Sequence, residues 1–149
     1  MTRPEHYRSY SAVFPILLRE GANGQEVLLH LRQNTGYMDG CWDFAGSGHV
    51  DENETARQAV ARECLEELGI TVNPADMEFV HLCHRVAGGR WPHLLRSLFR
   101  HSEIRRHARR HGAGQKRRTS LVPHGGPSGK YQYCRGGHAA PLSAGPALQ

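Results

Sequence analysis

One stretch of this chain, GHVDENETARQAVARECLEELGI from Gly48 to Ile70, constrains the fold more than any other. Its fixed points are Gly48, Glu54, Arg62-Glu63, Glu66-Glu67 and Gly69-Ile70. A helix over 55–68 turns about 100° per residue and brings Glu63, Glu66 and Glu67 to one face, at i, i+3 and i+4. Ala56, Ala59, Val60 and Cys64 supply its buried side, and Gly69 stands where a left-handed residue ends a helix. Three neighbouring carboxylates repel one another, so a helix gains nothing by stacking them unless a cation is at hand. Hard oxygen donors at that charge density suit Mg²⁺ or Mn²⁺. A charged surface helix with accidental spacing is the bland alternative, and it leaves too many fixed positions to coincidence.

The pattern resembles the Nudix box, the signature of hydrolases that cut a nucleoside diphosphate linked to another moiety. Cys64 stands where that box usually has an aliphatic residue, a mild change because a buried Cys acts as a small apolar side chain. Gly46-Ser47-Gly48 replaces the more usual Pro-Gly-Gly, and Asn53 takes a position where Gly is common; Asn tolerates the left-handed conformation better than most residues. The resemblance implies an α/β fold, an α/β/α sandwich around a mixed sheet. It further implies that Glu63, Glu66, Glu67 and the Gly48 carbonyl bind Mg²⁺ or Mn²⁺, and that Glu63 can take the proton of an attacking water. Arg62 would orient Glu63 or Glu54 through charge-assisted hydrogen bonds, and Glu54 would brace the loop. The substrate expected is a small nucleotide, in particular a nucleoside triphosphate, because the chain is short and shows no added recognition domain.

At 149 residues the chain fits one domain. No apolar run approaches the length of a membrane span, and the first residues lack the apolar core of a signal peptide. Cys41, Cys64, Cys83 and Cys134 are scattered, which argues against a zinc site or a disulfide framework and favours a reducing cytoplasm. The net charge of +5 conceals an electrical split. Residues 1–90 carry 8 Lys/Arg against 13 Asp/Glu, whereas residues 91–149 carry 11 against 1.

The acidic part is orderly. Tyr10–Leu18 and Glu26–Arg32 predict two strands joined across Gly21-Ala22-Asn23-Gly24, with Pro15 at an edge or bulge and one face of the second strand half exposed. Glu78–Val86 predicts another strand. Asp51 and Glu52 suit a solvated loop better than an outer metal site; Trp42 and Phe44 suit core packing better than stacking on a base. Tyr37 falls in a loop where it could cover a base or face solvent. His81, Cys83 and Arg85 share a strand face by period two, and His81 and His84 are expected to line the core or a cleft.

From Arg90 onward the chain changes character, with Arg-His clusters and Gly-Pro runs, and only Leu94-Leu95 and Leu98-Phe99 resemble core material. Residues 1–90 are thus expected to form most of the domain and 91–149 a basic, disordered or frameshifted segment, leaving the sheet incomplete. The genetic code offers a test. Leu95–Ile104 can be encoded CTA CGA TCT CTA TTT CGT CAT TCG GAG ATA, which one base later reads YDLYFVIRR, a well-formed alternating strand. His111–His124 can likewise shift to MEPDKSDELRWFPM, an acidic loop and an aromatic strand end, and the residues after it to MEDLPENINIV, the start of a helix.

Two other functions stay open at this stage. One is a chain that has the box but is catalytically impaired, because strands after residue 90 are missing and open sheet edges invite aggregation. The other is a module that holds nucleic acid through its basic tail, with binding that falls steeply with salt. Against the latter, the tail has only Trp91, Phe99, Tyr131 and Tyr133 for stacking.

Overall fold

The computed structural model describes residues 8–36, 38–86, 93–102, 104 and 118–123. Its first element is a hairpin of β1 (Tyr10–Gly21) and β2 (Gly24–Leu31), antiparallel from Leu18 opposite Val27 to Gly21 opposite Gly24. Two short strands follow, β3 (Trp42–Phe44) against the far end of β2 and β4 (Gly48–His49) against the start of β1. The helix α1 (Ala56–Leu68) comes next, then a 3₁₀ turn at Pro74–Asp76 and strand β5 (Glu78–Arg85).

Past residue 90, where the sequence suggested a sheet left incomplete, two further strands stand. Strand β6 (Leu94–His101) runs parallel to β1 and antiparallel to β5, and β7 (Arg118–Pro123) runs antiparallel to β2. The sheet is therefore mixed, in the order β3-β2-β1-β6-β5, with β4 and β7 attached to β1 and β2. Backbone pairing does not require the side chains to alternate, which is how an irregular sequence enters a ladder. The rest of the basic segment, like Tyr37, lies outside the described residues.

Helix α1 starts and stops as its sequence dictates. Thr55 caps it, accepting from Gln58 N while the Gln58 side chain accepts from Thr55 N, and Gly69 closes it at φ 65° with its N–H on the carbonyls of Cys64 and Leu65. Ala59, Val60, Cys64 and Leu68 pack on Val13, Leu17 and Leu28 of the sheet. Full burial of a side chain such as Leu17 is worth about 1.5–3 kcal/mol. Arg57 ties the 3₁₀ turn to the helix by donating to the carbonyls of Pro74 and Met77.

The opposite face of β1 and β2 holds a second cluster of Leu18, Val27, Leu29 and Val122, against which Trp42 and Phe44 pack as expected. Strand β2 is thus covered on both faces, and His30, expected on a half-exposed face, is only 2% exposed. Among the described residues one α-helix covers the sheet, on one face.

Two local expectations need correction. Pro15 lies within the central strand β1 and not at the edge of the sheet. Antiparallel pairing of β1 with β4 ends at Val13 and with β2 begins at Leu18, so one side of β1 has no strand partner at residue 15 and an N–H is dispensable there. His81 and His84 are exposed, because β5 is the last strand of the sheet order and, among the described residues, is covered on neither face. Cys64 and Cys83 are free thiols.

Candidate active site

Glu63 belongs to the same stripe of α1 as Ala56, Ala59 and Val60, at i+7, i+4 and i+3 from them. The stripe that buries the helix therefore carries a carboxylate under the loop that precedes it, and the Glu63 side chain is only 13% exposed. Glu67, four residues on, is half-buried on the same stripe, whereas Glu66 points outward with 59% of its side chain exposed.

Across from Glu63 runs the β4 segment. A Cβ at Gly48 would overlap the Glu63 carboxylate, so the glycine leaves that carboxylate its room against the strand. The connection from β4 to α1 turns at Asn53, whose φ of 67° is left-handed, as its place in the motif foretold. Glu54 then folds back, and its Oε1 accepts from Asp51 N at 2.7 Å.

Arg62 joins these pieces. Its Nε and Nη2 donate to the two oxygens of Glu54 at 3.2 and 2.7 Å, a two-pronged bond of the kind a planar guanidinium favours. Nη1 donates to Glu63 at 2.8 Å and to Glu66 at 3.2 Å, and Nη2 also reaches the His49 carbonyl at 2.9 Å. Asp51 lies 3.4 Å away. The hydrogen bond to Glu54 is the largest cause that holds the guanidinium charged well beyond its ordinary range, followed among the raising causes by Glu63. The same bond holds the Glu54 carboxyl below its usual value of 4.5. Cys64 behaves as the small apolar residue expected, since burial, with Glu63 and Glu67 nearby, pushes its thiol up to about 12.

The structure thus brings Gly48, Glu54, Arg62, Glu63 and Glu66 together, with Glu67 beside them on the helix. Among the described residues no three His, Cys, Asp or Glu side chains converge as a ready-made metal cage. Arg62 is the positive charge between the carboxylates, and Glu63 and Glu66 both turn toward it. The Gly48 cradle and the hard carboxylate oxygens facing it still fit a small divalent cation.

Sequence reasoning missed two features. The His49 carbonyl is an acceptor for Arg62, a backbone role that no side-chain pattern reports. A second charged group links β1, β3 and β6: Asp43 lies 3.8 Å from Arg32 and 3.7 Å from Arg96, and the Arg96 guanidinium stacks 3.8 Å from the Phe14 ring centroid. These residues are far apart in sequence, and no short-range spacing could have joined them.

A family model described as "NUDIX domain" matches residues 9–121. The chain is 39% identical over 82 residues to a CTP pyrophosphohydrolase of Escherichia coli, covering 55% of this chain and 56% of that one. It is 44% identical over 46 residues to an 8-oxo-dGTP diphosphatase of Proteus vulgaris, covering 31% and 40%. The chain therefore spans about half the length of the curated relatives it matches. Among solved structures, a MutT/nudix family protein from Enterococcus faecalis superimposes with a TM-score of 0.69 at 21% identity, over 81% of this chain and 46% of that one. The NUDIX domain of Shewanella oneidensis NrtR, complexed with ADP ribose, gives 0.65 at 16% identity, over 79% and 75%. Those two likenesses establish the fold, and the family model runs from β1 through the acidic helix into β7. On that match the chain belongs to the NUDIX domain family.

Proposed function

We propose that this protein is a Mg²⁺- or Mn²⁺-dependent hydrolase that cleaves the pyrophosphate linkage of a nucleoside triphosphate or a related nucleoside diphosphate derivative. The observation that carries this is the apposition of Glu63 to the bare Cα of Gly48, with Arg62 locking Glu54 and Glu63 beside it. The names of the two curated relatives, which act on CTP and 8-oxo-dGTP, support a nucleoside triphosphate over a larger conjugate. A cytoplasmic setting goes with such a substrate.

Glu63, Glu66, Glu67 and the Gly48 carbonyl would hold the cation. Bound there, it would supply charge neutralisation at the phosphate oxygens. Glu63, turned inward and half shielded, accepts the proton of the attacking water. Arg62 keeps Glu63 aimed, and Glu54 fixes Arg62 by taking both of its remaining donors. Glu54 and Arg62 thus act through Glu63, as positioning residues.

The test is a panel of ribo- and deoxyribonucleoside triphosphates incubated with the full chain and MgCl₂, with nucleoside monophosphate and pyrophosphate separated by ion-pair chromatography. Turnover that chelation by EDTA abolishes is expected. Folded protein that turns over none of the panel, with Mg²⁺ or Mn²⁺, would sink the proposal.

A further inference from the structure

We infer that β6 and β7 occupy core-strand positions whose native residues are encoded one base downstream of the frame translated here, so that the frame changes between about Gly88 and Leu94. The ladder supplies the argument. Ser97, Phe99 and His101 of β6 stand opposite Val13, Pro15 and Leu17 of β1. Val13, Leu17 and Phe99 all belong to the core beneath α1. A strand held between two others and roofed by a helix needs apolar residues at such positions. Here only one of the three is apolar, and Phe99 is the sole buried residue of β6.

Shifting the register of translation by one base repairs all three positions under a single condition. With T as the third base of its codon and Leu98 following, Ser97 becomes Leu or Val. With the same third base, Phe99 becomes Phe or Leu. His101 followed by a serine codon shifts only to Ile or Thr, and with a third-position T only to Ile. The inward face then reads Leu or Val, Phe or Leu, Ile. Codon degeneracy leaves room to invent some strand, but the register it has to satisfy was fixed by β1.

The outer face changes the same way. Arg96 carries a buried Nε with no hydrogen-bond partner among the described residues, a costly arrangement for a guanidinium. No arginine codon followed by the next residue's first base shifts to another cation at 96 or 100; a CGN codon gives Val, Ala, Asp, Glu or Gly. Strand β7 responds to the same shift. Leu121 and Val122 lie opposite Leu28 and Val27, which belong to the two cores on either face of β2. One base on, those two positions can read Trp-Phe, larger apolar residues in the same places. The basic stretch that separates the strands becomes the acidic loop EPDKSDE. Two strands and the loop between them improve under one displacement.

The inference stands on strand register, not on hydrolysis, so it can fail while the proposed activity holds, and the reverse. It is tested by the coding DNA from Val86 to Tyr133. Third-position T at Ser97, Phe99 and His101 and an open shifted frame are the expected result. A stop codon in that frame, or other bases at those three places, overturns it. The frame-restored chain should also unfold in one transition at least ~10 °C above the chain as written, and a restored chain that melts no higher overturns the claim that these are its native core residues.

Discussion

The Glu63 carboxylate occupies the space that a Cβ on residue 48 would fill. Gly48→Ala forces either the strand or the carboxylate aside. Displacing a liganding group in this way should cost about 10- to 100-fold in kcat/KM, with the Mg²⁺ concentration for half-maximal rate raised. A Mg²⁺ titration of activity measures both, and a variant with unchanged metal dependence would contradict the placement.

Arg62 holds three carboxylates that otherwise face one another. Arg62→Ala should destabilise the protein by about 1–3 kcal/mol in urea unfolding without divalent ions. Added MgCl₂ should recover part of that loss, because a cation replaces the missing charge. Arg62→Lys should recover little, since an ammonium cannot make the two-pronged bond to Glu54.

Glu54 gives a pH dependence with a definite sign. Its carboxyl is held below 4.5 in the folded state, first by the Arg62 hydrogen bond. A group with a lowered folded value adds stability that is fully present above its unfolded value and fades as pH falls through the folded one. Melting temperature should therefore drop as pH is lowered from about 5 toward 3, where carboxylates titrate, and Glu54→Gln should flatten that slope while lowering the plateau.

Replacing Glu67 by Gln removes one charge from the helix stripe and leaves the packing of Cys64 and Leu68 in place. Metal-dependent turnover should fall by at least about 100-fold while the melting temperature moves little. Unchanged turnover would remove Glu67 from the proposed ligand set.

Asn53 accepts a left-handed φ of 67° at the turn into the helix. Asn53→Gly should be neutral or slightly stabilising. Asn53→Val, β-branched at the same φ, should cost about 1–2 kcal/mol, read by thermal unfolding.

The box was legible because its order is local. Capping by Thr55, termination at Gly69, the turn at Asn53 and the clustering of Glu54, Arg62 and Glu63 all follow from residues within one helix and its lead-in. The first hairpin was legible for the same reason. What escaped was set by distant partners. Pro15 is tolerated because two antiparallel neighbours happen to stop short of it on the same side. His30 is buried because β2 is roofed on both faces, and His81 and His84 are exposed because β5 ends the strand order. Strands β6 and β7 escaped because their inward positions, Ser97, His101, Thr119 and Ser120, lack the alternation that announces a strand.

The parallel pairing of β1 with β6 has a consequence for synthesis. Tyr10 leaves a ribosome well before its partner Leu94, which follows only after the hairpin and the acidic helix have emerged. Such a long-range contact closes late. The nascent chain therefore carries its charged helix finished while one side of its central strand is still bare. During that interval the outward charge of Glu66 helps to keep neighbouring nascent chains apart.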